Sequence, residues 1–527
     1  MVLSVNGFAL IADAQQVRIV PSISVREIYD TNVFYSSGNL PPGVSKDDFI
    51  TMIVPQVNLG HTNSLMSTNL SLGALIQKFA KNSDLDNVGF NAAAGIDISR
   101  LANRYLPRMR TARVYGTFMY SPSTPAFGGM GGMGMGGGGM MGGGMMMGGV
   151  GGVGLTGPLD SGQVAQRVRT YIYNIGLTNS YALSPSADFQ TSLMYSRLSF
   201  GNSYTPTTTT TESGQALTFD TTNYNVTAGP MARISATDSL GFTYTFSQFS
   251  QANFGTFSTH TGNLNWSRTW TREISSSARG GLTLVEPIPA TQFNAAGAQS
   301  SNSRIAATMF PTGGLSLTYA SASSLLRAMG SEMSSSGGVS QSGGVGVVGG
   351  SFLPMLAGST VPGSIAGPGM YSVSLIYNLG VYPSYVSSAG PIYSHIIGLN
   401  ASAGITDRLT SLAGFNFAHS SFTSPVNTGT FDSYSAIAML NYLVTRTLQA
   451  SFSYQYLNFT GGSDSAANSG SNFTMSKHML MLGLSYAYSP RGDFFRGSAF
   501  WDTPSYGSST TGPGPSQSGS GGVEIKK

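Results

Sequence analysis

The chain has 527 residues, of which only 9% are Asp, Glu, Lys or Arg, far below the roughly 25% of soluble domains, so water is not its principal solvent. Hydrophobic content is 41% and mean hydropathy +0.04, and no run approaches the ~18 to 20 apolar residues of a spanning helix, which excludes a helical membrane protein. The net charge of +4 and pI near 9.0 are too mild and dispersed for a nucleic-acid partner. The absence of cysteine excludes disulfides, thiolate metal sites and haem attached through C-x-x-C-H.

Residues 1–14 read as a truncated secretory signal: 2–11 are mostly apolar and Ala12-Asp13-Ala14 fits the A-x-A cleavage pattern, although a basic n-region is missing. Residues 15–489 then alternate with period two. In 17–29, Ile23 and Val25 oppose Ser22, Ser24 and Arg26. After a loop at Asp30-Thr31-Asn32, a second strand covers 49–62. In the third, Leu70, Leu72, Ala74 and Ile76 oppose Asn69, Ser71 and Gly73; the fourth sets Phe90, Ala92, Ala94 and Ile96 on one side. These are successive hairpins.

The opening IVPSISVREIYDTNVFYSS (19–37), followed by KDDFITMIVPQVNL from Lys46, resembles the start of a family of bacterial outer-membrane β-barrel porins. Members are often encoded near exopolysaccharide and protein-sorting systems. The matching points are Tyr29-Asp30-x-Asn32 at the end of the first strand, and Asp48 before a strand with a central proline, Pro55. The match covers about sixty residues and implies a membrane barrel with no catalytic motif. It also implies an outer-membrane bilayer, the insertion machinery and polysaccharide-export components as partners.

An aromatic residue recurs where alternating strands close: Tyr181, Trp270, Tyr319, Tyr377, Tyr442 and Tyr486. A ring with a polar tip at repeated strand ends suits an interfacial girdle, so the short turns beside them are assigned to the periplasm. The connections at 202–219, 287–303 and 334–368 are long and of biased composition, and are read as external. The expected fold is therefore all-β: a closed antiparallel transmembrane β-barrel of roughly 18–20 strands, with short periplasmic turns and long external loops. Pro383 makes the region 371–388 ambiguous between one strand and two. The last strand, MLMLGLSYAY, ends at Tyr488, and the tail 490–527 turns Gly-, Ser- and Pro-rich and reads as largely disordered.

Within hydrocarbon only helices and closed barrels pair every backbone group, so closure follows from the failure of the helical alternative. The stretch SFSYQY sets Phe452, Tyr454 and Tyr456 toward lipid and Ser451, Ser453 and Gln455 toward the lumen. Arg26, Asp97, Arg113 and Arg279 share faces with Ser, Gly, Thr and Asn and are the candidate lumen charges. They form either a weakly basic constriction or internal ion pairs. Arg197 falls on the outer face near a loop end, where it can snorkel.

The segment 122–168 is Gly- and Met-rich, with Met130, Met133, Met135, Met140, Met141, Met145, Met146 and Met147. Thioethers suit Cu(I), but no histidine accompanies them and glycine preorganises nothing, so the segment reads first as a low-complexity loop. The G-x-G-x-x-G matches within it, such as the one at Gly132, lack a strand-to-helix context. His61, His260, His395, His419 and His478 have no metal spacing. His419 and Ser420 are adjacent on one strand and so face opposite ways, which argues against a catalytic dyad. No cofactor and no enzymatic activity are expected. The function expected is a porin-like channel for small solutes, or one assisting polymer export. The alternatives are a barrel scaffolding an export component or a periplasmic electron carrier, and a soluble adhesin.

Overall fold

The computed structural model describes residues 16–34, 43–125, 167–200, 220–251, 255–286, 288–293, 299–305, 307–321, 369, 371–382, 392–422, 430–445, 447–462 and 473–488. The methionines of 122–168, the segment 334–368, residues 1–14 and the tail 490–527 lie outside the described residues.

The wall begins with β1 (Gln16–Asp30), β2 (Asp48–Thr62), β3 (Ser67–Phe79), β4 (Asn87–Asp97) and β5 (Met109–Pro125). It continues through β6 (Arg167–Ser184), β7 (Ala187–Phe200), β8 (Thr221–Arg233), β9 (Asp238–Gln251), β10 (Gly255–Thr269) and β11 (Ile274–Val285). A separate hairpin of β12 (Ile288–Phe293) and β13 (Gln299–Ile305) follows. The wall resumes with β14 (Thr308–Ala320), β15 (Tyr371–Tyr382), β16 (Ile392–Gly404), β17 (Leu409–Phe422), β18 (Thr430–Leu443), β19 (Leu448–Gly462) and β20 (Phe473–Ala487). Eighteen strands make one sheet, each antiparallel to its neighbour in chain order, and β20 pairs back onto β1 to close it. The fold is a closed antiparallel β-barrel.

One rim carries tight turns, at 63–66, 185–186, 234–237, 270–273, 405–408 and 444–447. Four of them share a device: the hydroxyls of Ser235, Thr271, Thr406 and Thr445 each accept backbone N–H groups two and three residues ahead. Such a side chain supplies the bond that the reversing backbone lacks. Connections at the opposite rim are mostly longer, which is the asymmetry of bacterial outer-membrane barrels, with the turn rim periplasmic.

Three features differ from the sequence expectation. The connection 321–370, which contains the Gly/Ser-rich stretch expected outside, leaves Ala320 and returns at Tyr371, both at the turn rim. Strand parity decides this, because β14 runs toward that rim. The connection 287–303 is not a plain loop, since β12 and β13 pair within it. At the turn rim, the connection between β4 and β5 carries a short helix, α1 (Ser99–Tyr105), which the alternation did not predict. Of the ambiguous region 371–388, β15 takes Tyr371–Tyr382, and 383–388 lie outside the described residues.

The seam between first and last strands is built with particular care. β1 and β20 pair from Ser22↔Ala487 to Asp30↔Met479, and Tyr488 N–H donates to the Pro21 carbonyl at 3.0 Å below. At the loop rim, Thr31 N–H donates to the His478 carbonyl at 3.0 Å, His478 N–H to Thr31 Oγ1 at 2.9 Å, and Asn32 Nδ2 to the Ser476 carbonyl at 3.2 Å. Lys477 and Asp30 form an ion pair of 2.7 Å, their side chains only 3% and 5% exposed. Asp48, the next acidic residue of the signature, accepts the backbone N–H groups of Lys81 and Asn82, at 2.8 Å each. Beneath this polar knot lies an apolar cluster of Ile28, Val33, Phe34, Ile50, Met52, Val54 and Leu85. Asp30 and Asn32 of the signature thus fasten the barrel's ends, while Asp48 ties the start of β2 to the connection between β3 and β4.

Breaking a buried pair from one side leaves an uncompensated charge, at about 3–5 kcal/mol. Lys477→Met is therefore expected to lower the urea midpoint of the vesicle-folded barrel sharply, while Asp30→Asn combined with it recovers most of the loss. Intrinsic fluorescence during urea titration measures both.

Candidate functional site

The two faces of the wall are chemically opposite. Along β20 the outward residues are Leu480, Leu482, Leu484 and Tyr486, all exposed, with Leu482 55% open. Val17, Ile19, Ile23 and Val25 on β1, Leu315 and Leu317 on β14, and Val373 and Leu375 on β15 continue the same surface. An apolar band around a whole molecule exceeds anything a monomer in water exposes. No helix among the described residues is long and apolar enough to cross a membrane, so the strands do the crossing. This is a transmembrane barrel of the bacterial outer-membrane type.

Where the band meets the turn rim, Tyr181, Tyr319, Tyr442 and Tyr486 stand near the ends of β6, β14, β18 and β20, exposed. Trp270 opens the turn after β10; its indole N–H donates to Ser276 Oγ at 2.8 Å, and the Arg268 guanidinium lies 4.3 Å from its ring centroid. Arg268 also pairs with Asp238 at 3.7 Å, an anchor of cation and aromatic that the period-two pattern does not signal. Tyr377 departs from the expected pattern. It lies six residues into β15, in mid-wall, because the Asn-Leu-Gly after it continues the strand to Tyr382. Its hydroxyl meets His395 Nδ1 at 3.1 Å. The rim position belongs to Tyr371, whose hydroxyl lies 3.2 Å from that of Tyr319.

The inner face carries small amides and hydroxyls that bond sideways to the next strand. Gln56 Nε2 donates to Ser71 Oγ at 2.6 Å, Asn174 Nδ2 to Thr117 Oγ1 at 2.8 Å, and Asn225 Nδ2 to Ser247 Oγ at 2.7 Å. Thr261 and Thr283 share a bond of 2.7 Å, as do Ser394 and Ser420. Many of these side chains are buried, and Thr261 has no exposed surface. Ser453 and Gln455 are buried on this face, while Phe452 and Tyr454 are exposed on the other.

Larger inner side chains lie across a glycine on the facing strand. Tyr115 covers Gly176, its direct partner. Arg26 rests its Cγ 3.2 Å from where a Cβ on Gly483 would sit. Arg279 passes over Gly314, where a Cβ would come within 2.6 Å of its Nε, and its Nη2 donates to Asn378 Oδ1 at 2.8 Å. At Gly176 a Cβ would overlap the Tyr115 ring, so that approach needs a residue without a side chain.

The candidate lumen charges are placed as follows. Asp97 and Arg113 are direct cross-strand partners, joined at 2.8 Å. Arg113 and Arg279 stand four and five residues above the turn-rim starts of β5 and β11, whereas Arg26 stands four residues below the loop-rim end of β1. The three arginines therefore do not form one ring, and the idea of a single basic constriction is replaced by separate sites, one of them an ion pair. Arg197 is exposed on the outer face and pairs with Asp220 at 3.5 Å. His419 faces outward to Asp432, at 2.6 Å, and Ser420 inward to Ser394, so the two share no bond. No cluster of three potential metal ligands exists among the described residues.

At the loop rim, Lys81 and Asp47 pair at 2.6 Å. The bond from Lys81, with one from Ser45, holds the Asp47 carboxyl below its ordinary range, and Asp47 in turn raises the Lys81 ammonium.

No protein-family model matches the chain, and no curated protein does. Among solved structures, it is similar to Pseudomonas aeruginosa OprD, at 8% identity and TM-score 0.35 over 90% of this chain and 95% of that one. It is also similar to Acinetobacter baumannii OccAB1, at 10% identity and TM-score 0.38 over 89% and 96%. A third is the ferric-catecholate import receptor Fiu of E. coli K12, at 8% and 0.39 over 90% and 82%.

A cation facing lipid at mid-depth costs about 2–4 kcal/mol, while substitutions facing the lumen are tolerated. Leu482→Arg is expected to destabilise the vesicle-folded barrel by that amount, and Ser485→Arg, on the inner face of the same strand, by under about 1 kcal/mol. Urea titration in vesicles reads both.

Proposed function

We propose that the barrel is a porin-like channel through which small solutes pass passively, with assistance to a passing polymer as a variant of the same activity. One observation carries this reading: a closed wall that is apolar outside and lined inside by neutral amides and hydroxyls. Such groups replace the hydrogen bonds a solute loses on leaving water, and they bind too weakly to trap it. A barrel of this strand number is wide enough for an aqueous path. Arg113 is matched by Asp97, whereas Arg279 bonds the neutral Asn378 and keeps its charge, so ion selectivity is expected to be weak and toward anions. The aromatic residues at the turn rim act as an interfacial girdle in this reading, and the strand that ends at Tyr488 serves the insertion machinery as its signal.

Planar-bilayer recording of the refolded protein tests the reading. Stable open channels with a reversal potential near zero in a potassium chloride gradient are expected. Asp97→Asn, which removes the carboxylate beside Arg113, is expected to move the reversal potential toward chloride. Silent barrels that co-purify with a bound component would instead support a scaffold for an export or electron-transfer partner.

A further inference from the structure

Three histidines without any common spacing in the sequence occupy equivalent positions in the barrel. His260, His395 and His478 each stand nine residues before the turn-rim end of their strands, at Thr269, Gly404 and Ala487. On the preceding strand, Tyr244, Tyr377 and Tyr454 each stand six residues after the turn-rim start, at Asp238, Tyr371 and Leu448. Each histidine lies two positions diagonally from the partner of its tyrosine: Tyr244 pairs with Gly262, Tyr377 with Ile397, and Tyr454 with Leu480. The contact is the same in all three. Tyrosine Oη meets histidine Nδ1 at 2.7, 3.1 and 2.8 Å.

Each contact admits the tautomer in which the phenol O–H donates to Nδ1. A phenol donating to Nδ1 leaves the imidazole proton on Nε2. A second aromatic ring supports each imidazole: Phe246 at 5.2 Å from His260, Tyr393 at 5.5 Å from His395, and Tyr456 at 4.9 Å from His478. Nε2 of His260 is engaged by Glu286 at 3.0 Å. The imidazoles of His395 and His478 make no other hydrogen bond among the described residues. Nine residues at ~3.3 Å each, tilted by ~40°, put all three about 23 Å above the turn rim, at the upper border of a ~25 Å apolar band. That is headgroup depth in the leaflet facing the loop rim.

We propose that His395 and His478 are lipid-headgroup sites, each offering its Nε2–H to a phosphate of a lipid in that leaflet. The tyrosine behind each ring sets its tautomer and angle. A phosphate fits better than a sugar hydroxyl, because the open group is a lone donor whose strongest partner is an anionic oxygen. The inference needs the barrel to be in a membrane but does not need it to conduct.

The test folds the full chain into vesicles of dimyristoylphosphatidylglycerol and, in parallel, of a phosphate-free glycolipid with the same acyl chains. The double variant His395→Phe/His478→Phe keeps the rings and removes the donors. In the phosphate lipid its melting midpoint, read from the compact electrophoretic band, is expected to fall about 3 °C or more below that of the unaltered chain. In the glycolipid only the smaller fall from loss of the two tyrosine bonds is expected, and the excess fall in the phosphate lipid reads the sites. An equal fall in both lipids, or none in either, overturns the proposal. Should the variant fail to fold, isotope-labelled histidine in the unaltered chain decides: Nε2 resonances that differ between the lipids support the sites, and identical ones overturn them. Flotation with the vesicles is scored first, because a chain that stays behind overturns the membrane assignment and this proposal together, whereas one that inserts without lipid dependence overturns only the proposal.

Discussion

In hydrocarbon a backbone N–H or C=O without a partner costs several kcal/mol and has no water to turn to. Everything else in this molecule follows from that constraint. A sheet satisfies it only by closing, so β20 must find β1, and the strands between must each pair with both neighbours. Closure in turn divides the residues of each strand between two solvents by parity alone. The polar knot at Asp30, Asn32 and Lys477 sits where this condition is hardest to meet, at the join between strands that are farthest apart in the chain.

Once parity is fixed, the inner face has its own packing problem. Side chains there either stay small and bond to the neighbouring strand, as Thr261 does with Thr283, or they grow long and need somewhere to lie. The wall provides that room by placing a glycine directly opposite, as at Tyr115 and Gly176. Composition is explained by the same rule. The wall is poor in charge because half of each strand must be apolar and the other half must be small, neutral, or paired with a gap.

Period-two alternation makes the architecture legible in the sequence, because parity is read directly from residue order. Leu480, Leu482 and Leu484 fall on the lipid side by that rule, and Ser453 and Gln455 on the lumen side. Vertical position is harder to read. Asn-Leu-Gly after Tyr377 has the composition of a turn, whereas the ladder with β16 carries the strand on to Tyr382. The Gly/Ser-rich connection has the composition of an external loop, but its rim is set by the direction of β14, which only a complete strand order supplies. The tyrosine and histidine pairs are invisible in the sequence for a related reason. Tyr377 and His395 stand 18 residues apart on consecutive strands, and only the register shows that they meet. Charge partners follow the same divide: alternation turns both Asp97 and Arg113 inward, but their pairing needs the cross-strand alignment.

The seam has a consequence for how the molecule comes into being. β1 is the first strand made and β20 the last, so the contact that completes the cylinder has the greatest sequence separation available and is among the slowest to form. Until Met479–Ala487 exists, Ser22–Asp30 is an unpaired edge carrying a row of free backbone groups beside Ile23, Val25 and Ile28, which is a template for aggregation. An arrested or shortened chain would expose two such edges and an apolar face to water at once. The journey to the membrane therefore has to be made with the sheet unformed, and the cylinder can be sealed only after the final strand has arrived.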